Sequence, residues 1–574
     1  MPEEFLLPIP VSGKAYSAAS SRSFKLPPLD GSLTLPEIYD WHFENNSRHT
    51  VFMYESVGGV GYTHLSYAEI VPAAHKAAKH VAANIGLDLD LLQQDTGVSP
   101  VAAIFGPDTI AGFCTILGMI RVGIPIFNIS PHISPASVAR LLQRSGAEHL
   151  LISSDASLQE LVRRSQTEDF PSNIKISVLP TFGEIFSDDP HVPLKPIVYD
   201  LEGPVVLTHS SGSTSLPKTI PCTHPFLLQC GVAPLYGSHN YCNEIFAWHT
   251  VSMNHGTGIH LLAWLPLTGM IVAVLPPCLP SLPTSAALLK SFARLKADYL
   301  VTFPKYLEDW SCSGDNIELL KLAKAVIFVG GFLNLTIGDL LATKGVRLHP
   351  LFGMAEAGVI GSFLPSHALP VNQGLDWEYF PLTPHSGGQF IDAGDNFYEL
   401  VIVKSATKHL QVINTTFGSN EAYRSYDLFL EHPEKPGFWK VVGRMSDRIT
   451  HANGKKIDTV PFEHAMSSDP QIRGAVVFGD QKDRCGLLVE LRDDFYFDPE
   501  NKDMFCKFQE YIRLKLEEVN CQMPNYSQIY PDMVLTASKS KPFQYTEKGS
   551  LRKSEALRMY QAEIESMYSR IEGA

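Results

Sequence analysis

Residues 208–220 read THSSGSTSLPKTI and follow GPVVL, an apolar run at 203–207. Small residues let backbone N–H groups converge on phosphate oxygens, Ser and Thr hydroxyls add donors, and a lysine adds a mobile charge. The pattern differs from G-x-x-x-x-G-K-[ST], because Lys218 follows a proline and no Gly-Lys pair is present. Alone, such a run reads more readily as a polar surface turn. Four further stretches carry charged groups: PLFGMAEAG at 350–358, YRSYDLF at 423–429, GRMSDRITHANGKKID at 443–458 and YTEKGSLRK at 545–553. Read singly, Glu356 is a surface acid, Phe352 a core aromatic, Arg444 half of a solvent salt bridge and Lys548 a solvated lysine.

The elements around them alternate. VAAIF (101–105) reads as a buried strand and DTIAGFCTILGMIRVG (108–123) as a helix stopped by Gly123. IPIFNI (124–129) is a second strand. Ser134 is placed to cap a helix with Pro135 at its first position and Gly146 at its end. HLLIS (149–153) is a third strand. This spacing predicts βαβ units in a mostly parallel sheet, with ligand loops at the carboxyl ends of its strands. From 387 to 445 the chain turns to β-like runs, FYELVIVKS and HLQVINTTF, and after 448 a smaller α/β region follows. The closing EALRMYQAEIESMYSRI reads as a helix leading into a linker.

At 574 residues the chain exceeds a single core. Its net charge of -14 disfavours nucleic acid as a partner. Nine scattered cysteines without a C-x-x-C pair predict neither a zinc ribbon nor a disulfide framework, and point to a reducing, cytoplasmic setting. The most apolar stretch, LLAWLPLTGMIVAVLPP (261–277), is broken by Pro266 and Gly269 and reads as core rather than a membrane span.

In their order and distances the five motifs resemble the adenylate-forming superfamily, which includes acyl-CoA synthetases, luciferases and adenylation domains of nonribosomal peptide synthetases (NRPSs). The H-x-N-G-K-K wording at 451–456 is most similar to fungal NRPS-like enzymes and carboxylic acid reductases. The resemblance implies an α/β fold: a large N-terminal domain of βαβ subdomains with a small β-rich subdomain (1–445), and a small mobile α/β C-terminal domain (446–574). It implies that ATP and a small-molecule carboxylic acid give acyl-AMP and pyrophosphate. The acyl group then passes to a thiol, phosphopantetheine on a downstream carrier domain or CoA, with a reductase domain as a possible further partner.

Residue by residue, the resemblance assigns His209, Ser210, Ser211, Gly212, Ser213, Thr214 and Lys218 to the phosphates. Gly330, Gly331, Phe352, Gly353, Met354 and Ala355 flank the nucleotide; Asp427 and Arg444 hold the ribose. Glu356 carries Mg²⁺. His255, Gly256, Val329, Gly330, Gly353 and Gly358 line the acid pocket. Lys548 is the catalytic lysine, with Lys553 as its alternative, and Ser446 or Asp447 forms the hinge. The sequence departs from the family at Ser215, Thr219 and Tyr426, where glycines are usual, and at Ala355, where a threonine is usual. FAWHTVSMNHGTGIH (246–260) contains no Asp or Glu to pair with an α-ammonium, so an aromatic or otherwise apolar acid without an α-amino group is expected. A free-standing acyl- or aryl-CoA ligase is the alternative enzyme, and a nucleotide-binding regulatory relative the non-catalytic one.

Overall fold

The computed structural model describes residues 23–572 apart from 57–60, 90–98, 168, 196, 198, 210–217, 237–238, 278, 280–281, 365–375, 395, 453–454, 498–501, 522, 524–526 and 547–548. Two parallel-rich sheets form the large part. In one, strands lie in the order Lys175–Val178, His149–Ile152, Val101–Ile104, Ile126–Asn128, Pro204–His209 and Thr219–Thr223, with only the last pairing antiparallel. The other runs Leu348–Leu351, Ala325–Val329, Tyr299–Thr302, Ile245–Ala247, Ile271–Ala273, Thr50–Glu55 and Tyr62–Ser66, again antiparallel only at its last pair.

Helices fill the space between the sheets. Helix Thr109–Arg121 starts where the Asp108 carboxylate accepts from Ala111 N, and every residue from Ile110 to Arg121 is buried. Such all-round apolarity marks a helix covered on both sides. It meets helix Tyr67–Ile85 so closely that a Cβ on Gly118 would lie 2.2 Å from the Ala74 carbonyl oxygen. One apolar core joins residues of both sheets, among them Val101 and Phe246, through these helices and helix Gly256–Thr268. The expected Ser134 cap, Pro135 start and left-handed Gly146 stop are all present. The 261–277 stretch divides into the end of that helix and strand Ile271–Ala273, turning at Gly269 with φ 69°.

A third, antiparallel sheet orders Phe380–Pro381, Phe438–Arg444, Asn420–Glu431, Phe397–Val403 and Gly388–Gly394. The β reading of 409–417 holds only for Thr415–Phe417; the segment before it leaves the sheet, with Gln411 N donating to Glu356 O. The last part has its own core, from Ile449 to Tyr568, around strands Ile472–Phe478, Gly486–Leu491 and Val534–Thr536. Helices Lys553–Met559 and Gln561–Glu572 turn back, burying Ala556, Tyr560, Met567 and Tyr568 in that core. The fold is thus mixed α/β, with a large N-terminal part and a smaller C-terminal one. Among the described residues no helix is long and apolar enough to cross a membrane.

Candidate functional site

The glycine- and serine-rich loop joins two antiparallel strands, closing on the pair His209 and Thr219. This explains why Lys218 heads a strand and not a helix. His209 is held by Ser130 N, which donates to its Nε2 at 2.9 Å. Ser210, Ser211, Gly212, Ser213, Thr214 and the unusual Ser215 lie outside the described residues. Lys218 is exposed at the loop's end. The Thr219 side chain is accommodated within the strand, its hydroxyl buried.

Glu356 sits on a tight turn. Gly353 and Met354 pair antiparallel with Gly358 and Val359, leaving Ala355, Glu356 and Ala357 at the tip. Gly358 has φ 73°, and a Cβ there would lie 2.3 Å from Cys230 Sγ, so a side chain is excluded. Cys230 and Phe226 fill the space on that side of Gly358. Beneath the turn lies Lys408, 4% exposed. Its Nζ donates to Ala357 O at 2.6 Å and Val359 O at 3.3 Å. Burial lowers its pKa. The Glu356 carboxylate makes no hydrogen bond or ion pair with the described residues, leaving a hard oxygen donor of the kind Mg²⁺ takes alongside phosphate. Phe352 stacks on Phe380 at 5.5 Å and meets the Phe429 edge at 5.3 Å. It remains partly exposed beside Gly353.

Asp427 and Arg444 face each other across neighbouring strands, with Arg444 Nε donating to Asp427 Oδ1 at 3.0 Å. Burial, with Glu356 and Asp447 nearby, outweighs Arg444 and pushes the Asp427 carboxyl up to about 6. A bulge presents this aspartate. Tyr426 adopts φ 60°, a left-handed conformation that costs a side-chain-bearing residue roughly 1–2 kcal/mol. The replaced glycine is therefore a conformational requirement that this chain meets with tyrosine. Glu399, 2% exposed, holds the bulge: its carboxylate accepts from Arg424 Nε at 2.7 Å, from Arg424 Nη2 at 2.7 Å and from Tyr426 N at 3.1 Å.

The acid-pocket residues divide. His255 caps helix Gly256–Thr268, its Nδ1 accepting from Thr257 N at 3.2 Å, and its ring meets Phe303 edge-on at 5.0 Å. Gly256 opens onto free space, with nothing within 4 Å of a Cβ built there. Val329 is 2% exposed and its side chain joins the main core. Gly330, at φ 80°, and Gly331 follow it at the strand's end. A Cβ on Gly331 would come 3.4 Å from Ser550 Oγ and 3.8 Å from Pro304 Cγ.

The C-terminal part therefore approaches the end of this strand. Tyr545 and Leu551 pair across a tight loop closed by Thr546 N to Ser550 O at 2.8 Å. Gly549, φ 86°, rests against Lys305, its would-be Cβ 3.1 Å from Lys305 Cβ. Lys548, immediately before it, lies outside the described residues. Lys553 is committed elsewhere: its ammonium sits 2.6 Å from Glu463 and 3.4 Å from Asp447. Burial pushes Glu463 up to about 7, against the pull of Lys553. At the expected hinge, Asp447 accepts from Arg444 N at 3.1 Å, and its carbonyl accepts from Thr459 Oγ1 at 2.8 Å.

Sequence reasoning overlooked Lys408, Glu399, Lys305 and His260. The first two are a lysine and a glutamate inside β-like stretches, with no motif to mark them as buried. His260 had a signal: it lies one helical turn beyond Gly256.

With this geometry in hand, the comparisons are specific. The "AMP-binding enzyme" family matches residues 39–383, and the "AMP-binding enzyme C-terminal domain" matches 446–572. Adenylate-forming reductase Nps10 of Heterobasidion annosum is 33% identical over 572 residues, covering 98% of this chain and 52% of that protein. A carboxylic acid reductase of Neurospora crassa is 26% identical over 495 residues, covering 82% and 45%. The chain spans about half the length of the curated relatives it matches. Among solved structures, McyG A-PCP complexed with phenylalanyl-adenylate has a TM-score of 0.68 at 14% identity, over 94% of this chain and 86% of that one. A benzoate CoA ligase from Burkholderia xenovorans LB400 has a TM-score of 0.66 at 15% identity, over 91% and 99%; identities this low show a shared fold. The chain belongs to the AMP-binding enzyme family, as an adenylate-forming enzyme similar to the adenylation region of fungal adenylate-forming and carboxylic acid reductases.

Proposed function

We propose that this protein activates a carboxylic acid lacking an α-amino group and hands it to a phosphopantetheine thiol. The acid's carboxylate oxygen attacks the α-phosphorus of ATP. The bond from that phosphorus to the bridging oxygen breaks, giving acyl-AMP and pyrophosphate. The thiol sulfur then attacks the acyl carbon and AMP leaves. The observation that carries this reading is that Glu356 lies close enough to the Asp427–Arg444 pair to act on both charges, while Ser550, two residues after Lys548, approaches Gly331.

In that arrangement Asp427 and Arg444 hold the ribose, and Phe352 offers the adenine a ring face. Residues 209–214 and Lys218 hold the departing phosphates. Glu356 holds Mg²⁺, which neutralises phosphate charge. Lys548 stabilises the charge that develops between carboxylate and α-phosphate, the kind of preorganised electrostatics that dominates many enzymatic accelerations. Residues 446–574 act as a lid on the core of 1–445, turning at Ser446–Asp447 between the two half-reactions.

The relatives named reductases favour a carrier-bound acceptor; the chain's similarity to CoA ligases supports the second reading, transfer to free CoA. Acid-dependent ATP–pyrophosphate exchange across aryl, alkyl and α-amino acids tests the first step. Response to an α-amino acid alone would refute the substrate class. Release of acyl-CoA on adding CoA, with no loading of an added carrier domain, would favour the second reading.

A further inference from the structure

We propose that the acid carries a hydroxyl at the end remote from its reacting carboxylate, on an aromatic body, and that His260 recognises it. This rests on the adenylation reading above. Within helix Gly256–Thr268, Gly256, Thr257 and His260 retain partial exposure, whereas Gly258, Ile259 and Leu261–Thr268 are buried. Gly256 and His260 lie one turn apart on the same face, and Gly256 has open space beside it. Gly256 is one of the residues expected at the acid pocket, and this partly exposed face carries His260 one turn further along the same wall.

The surroundings of His260 are aromatic. Its ring lies 5.4 Å from Trp264 and 6.4 Å from Phe226. Neither ring nitrogen hydrogen-bonds to a described residue. Among other histidines near this helix, His42 pairs with Pro266 O at 2.7 Å, His49 with Gly269 O at 3.0 Å and His255 with the helix cap, whereas His224, 1% exposed, leaves both ring nitrogens unpaired among the described residues. Desolvation, reinforced by the Lys408 ammonium, holds His260 at about 4, so it is a neutral imidazole at pH 7. A neutral imidazole offers one donor and one acceptor, and a hydroxyl satisfies either. A second carboxylate would suit the site less well. The nearby cation, Lys408, already binds the carbonyls of Ala357 and Val359, and a carboxylate can only accept.

The test uses the full chain in ATP–pyrophosphate exchange with matched acids: benzoate against 3- and 4-hydroxybenzoate, cinnamate against 4-hydroxycinnamate, and terephthalate as the carboxylate control. At least one hydroxylated acid is expected to exceed its plain partner about fivefold to tenfold in kcat/KM, the worth of one good hydrogen bond. H260L should bring that ratio to about one while the KM for ATP holds, and H260Q should retain part of it. Because a ratio is read, partial loss of folded protein does not move it. If H260L does not fold, an H260Q ratio equal to that of the unaltered protein overturns the inference. Equal use of plain and hydroxylated acids, a preference untouched by H260L, or a preference for terephthalate also overturns it alone. Exchange with none of the acids tested here or in the wider panel overturns the adenylation reading and this inference with it.

Discussion

Replacing Asp427 by Asn separates what this residue does for ATP from what it does to the fold. The carboxyl titrates near 6 in the protein against 3.8 ordinarily. At about 1.4 kcal/mol per unit, keeping it ionised in the native state costs about 3 kcal/mol relative to the unfolded chain. A carboxyl whose pKa rises on folding holds its proton more tightly in the native state. Stability therefore falls as pH rises from about 4 to about 6, and then levels. Asparagine has the same shape and no charge to desolvate. Its partner Arg444 has a side chain 46% exposed and can be solvated. D427N should thus be as stable as the unaltered protein near pH 4 and more stable by up to about 3 kcal/mol above pH 6. Activity should move the other way. Losing an ionised hydrogen-bond acceptor costs about 1.5–3 kcal/mol, a fall of roughly 10- to 150-fold in kcat/KM for ATP. The unaltered enzyme should lose the same quantity as pH falls through about 6. Thermal melts across pH, with initial exchange rates at varied ATP, provide both readings. A destabilised D427N at pH 8, or unchanged ATP dependence, would refute the reasoning.

The two lysines of the C-terminal part should part company. K548A is expected to lower acid-dependent exchange by about a hundredfold or more while ATP still binds, as loss of transition-state electrostatics does. K553A should instead lower the melting temperature, because it leaves the buried Glu463 without its cation, a change worth roughly 3–5 kcal/mol for a buried pair. E399Q should raise the KM for ATP severalfold with little change in kcat, since a neutral amide cannot accept all the bonds that set the bulge before Asp427. Equal effects on KM and kcat would show that Glu399 does not act through ribose binding.

The legible parts of this protein were local in origin. Asp108, Ser134, Pro135 and Gly146 mark helix ends because capping needs only a few neighbouring residues. Strand and helix periodicity foretold the parallel sheets, and five ordered motifs identified the superfamily. The absence of Asp and Glu from 246–260 set the expectation of an acid without an ammonium group. The less legible features depended on residues far apart in the chain. Closing 210–217 between antiparallel strands required the pairing of His209 with Thr219. The burial of Lys408 and Glu399 arose from sheets built across the 353–444 region, where each finds acceptors or donors that its own neighbours lack.

By itself, then, the sequence determined the family and its adenylate-forming chemistry, since motif chemistry is carried in short segments. The tertiary structure decided what those residues do. It turned Tyr426 left-handed beside Asp427, packed Val329 into the main core and Gly358 against Cys230, and occupied Lys553 with Glu463 and Asp447. It set the 549–550 loop against Lys305 and Gly331, and it left the His260 ring nitrogens without a hydrogen bond to the described residues. The physical reason is common to all of these. Burial, close approach and pairing are properties of surfaces brought together by packing, and no local stretch of chain contains both surfaces.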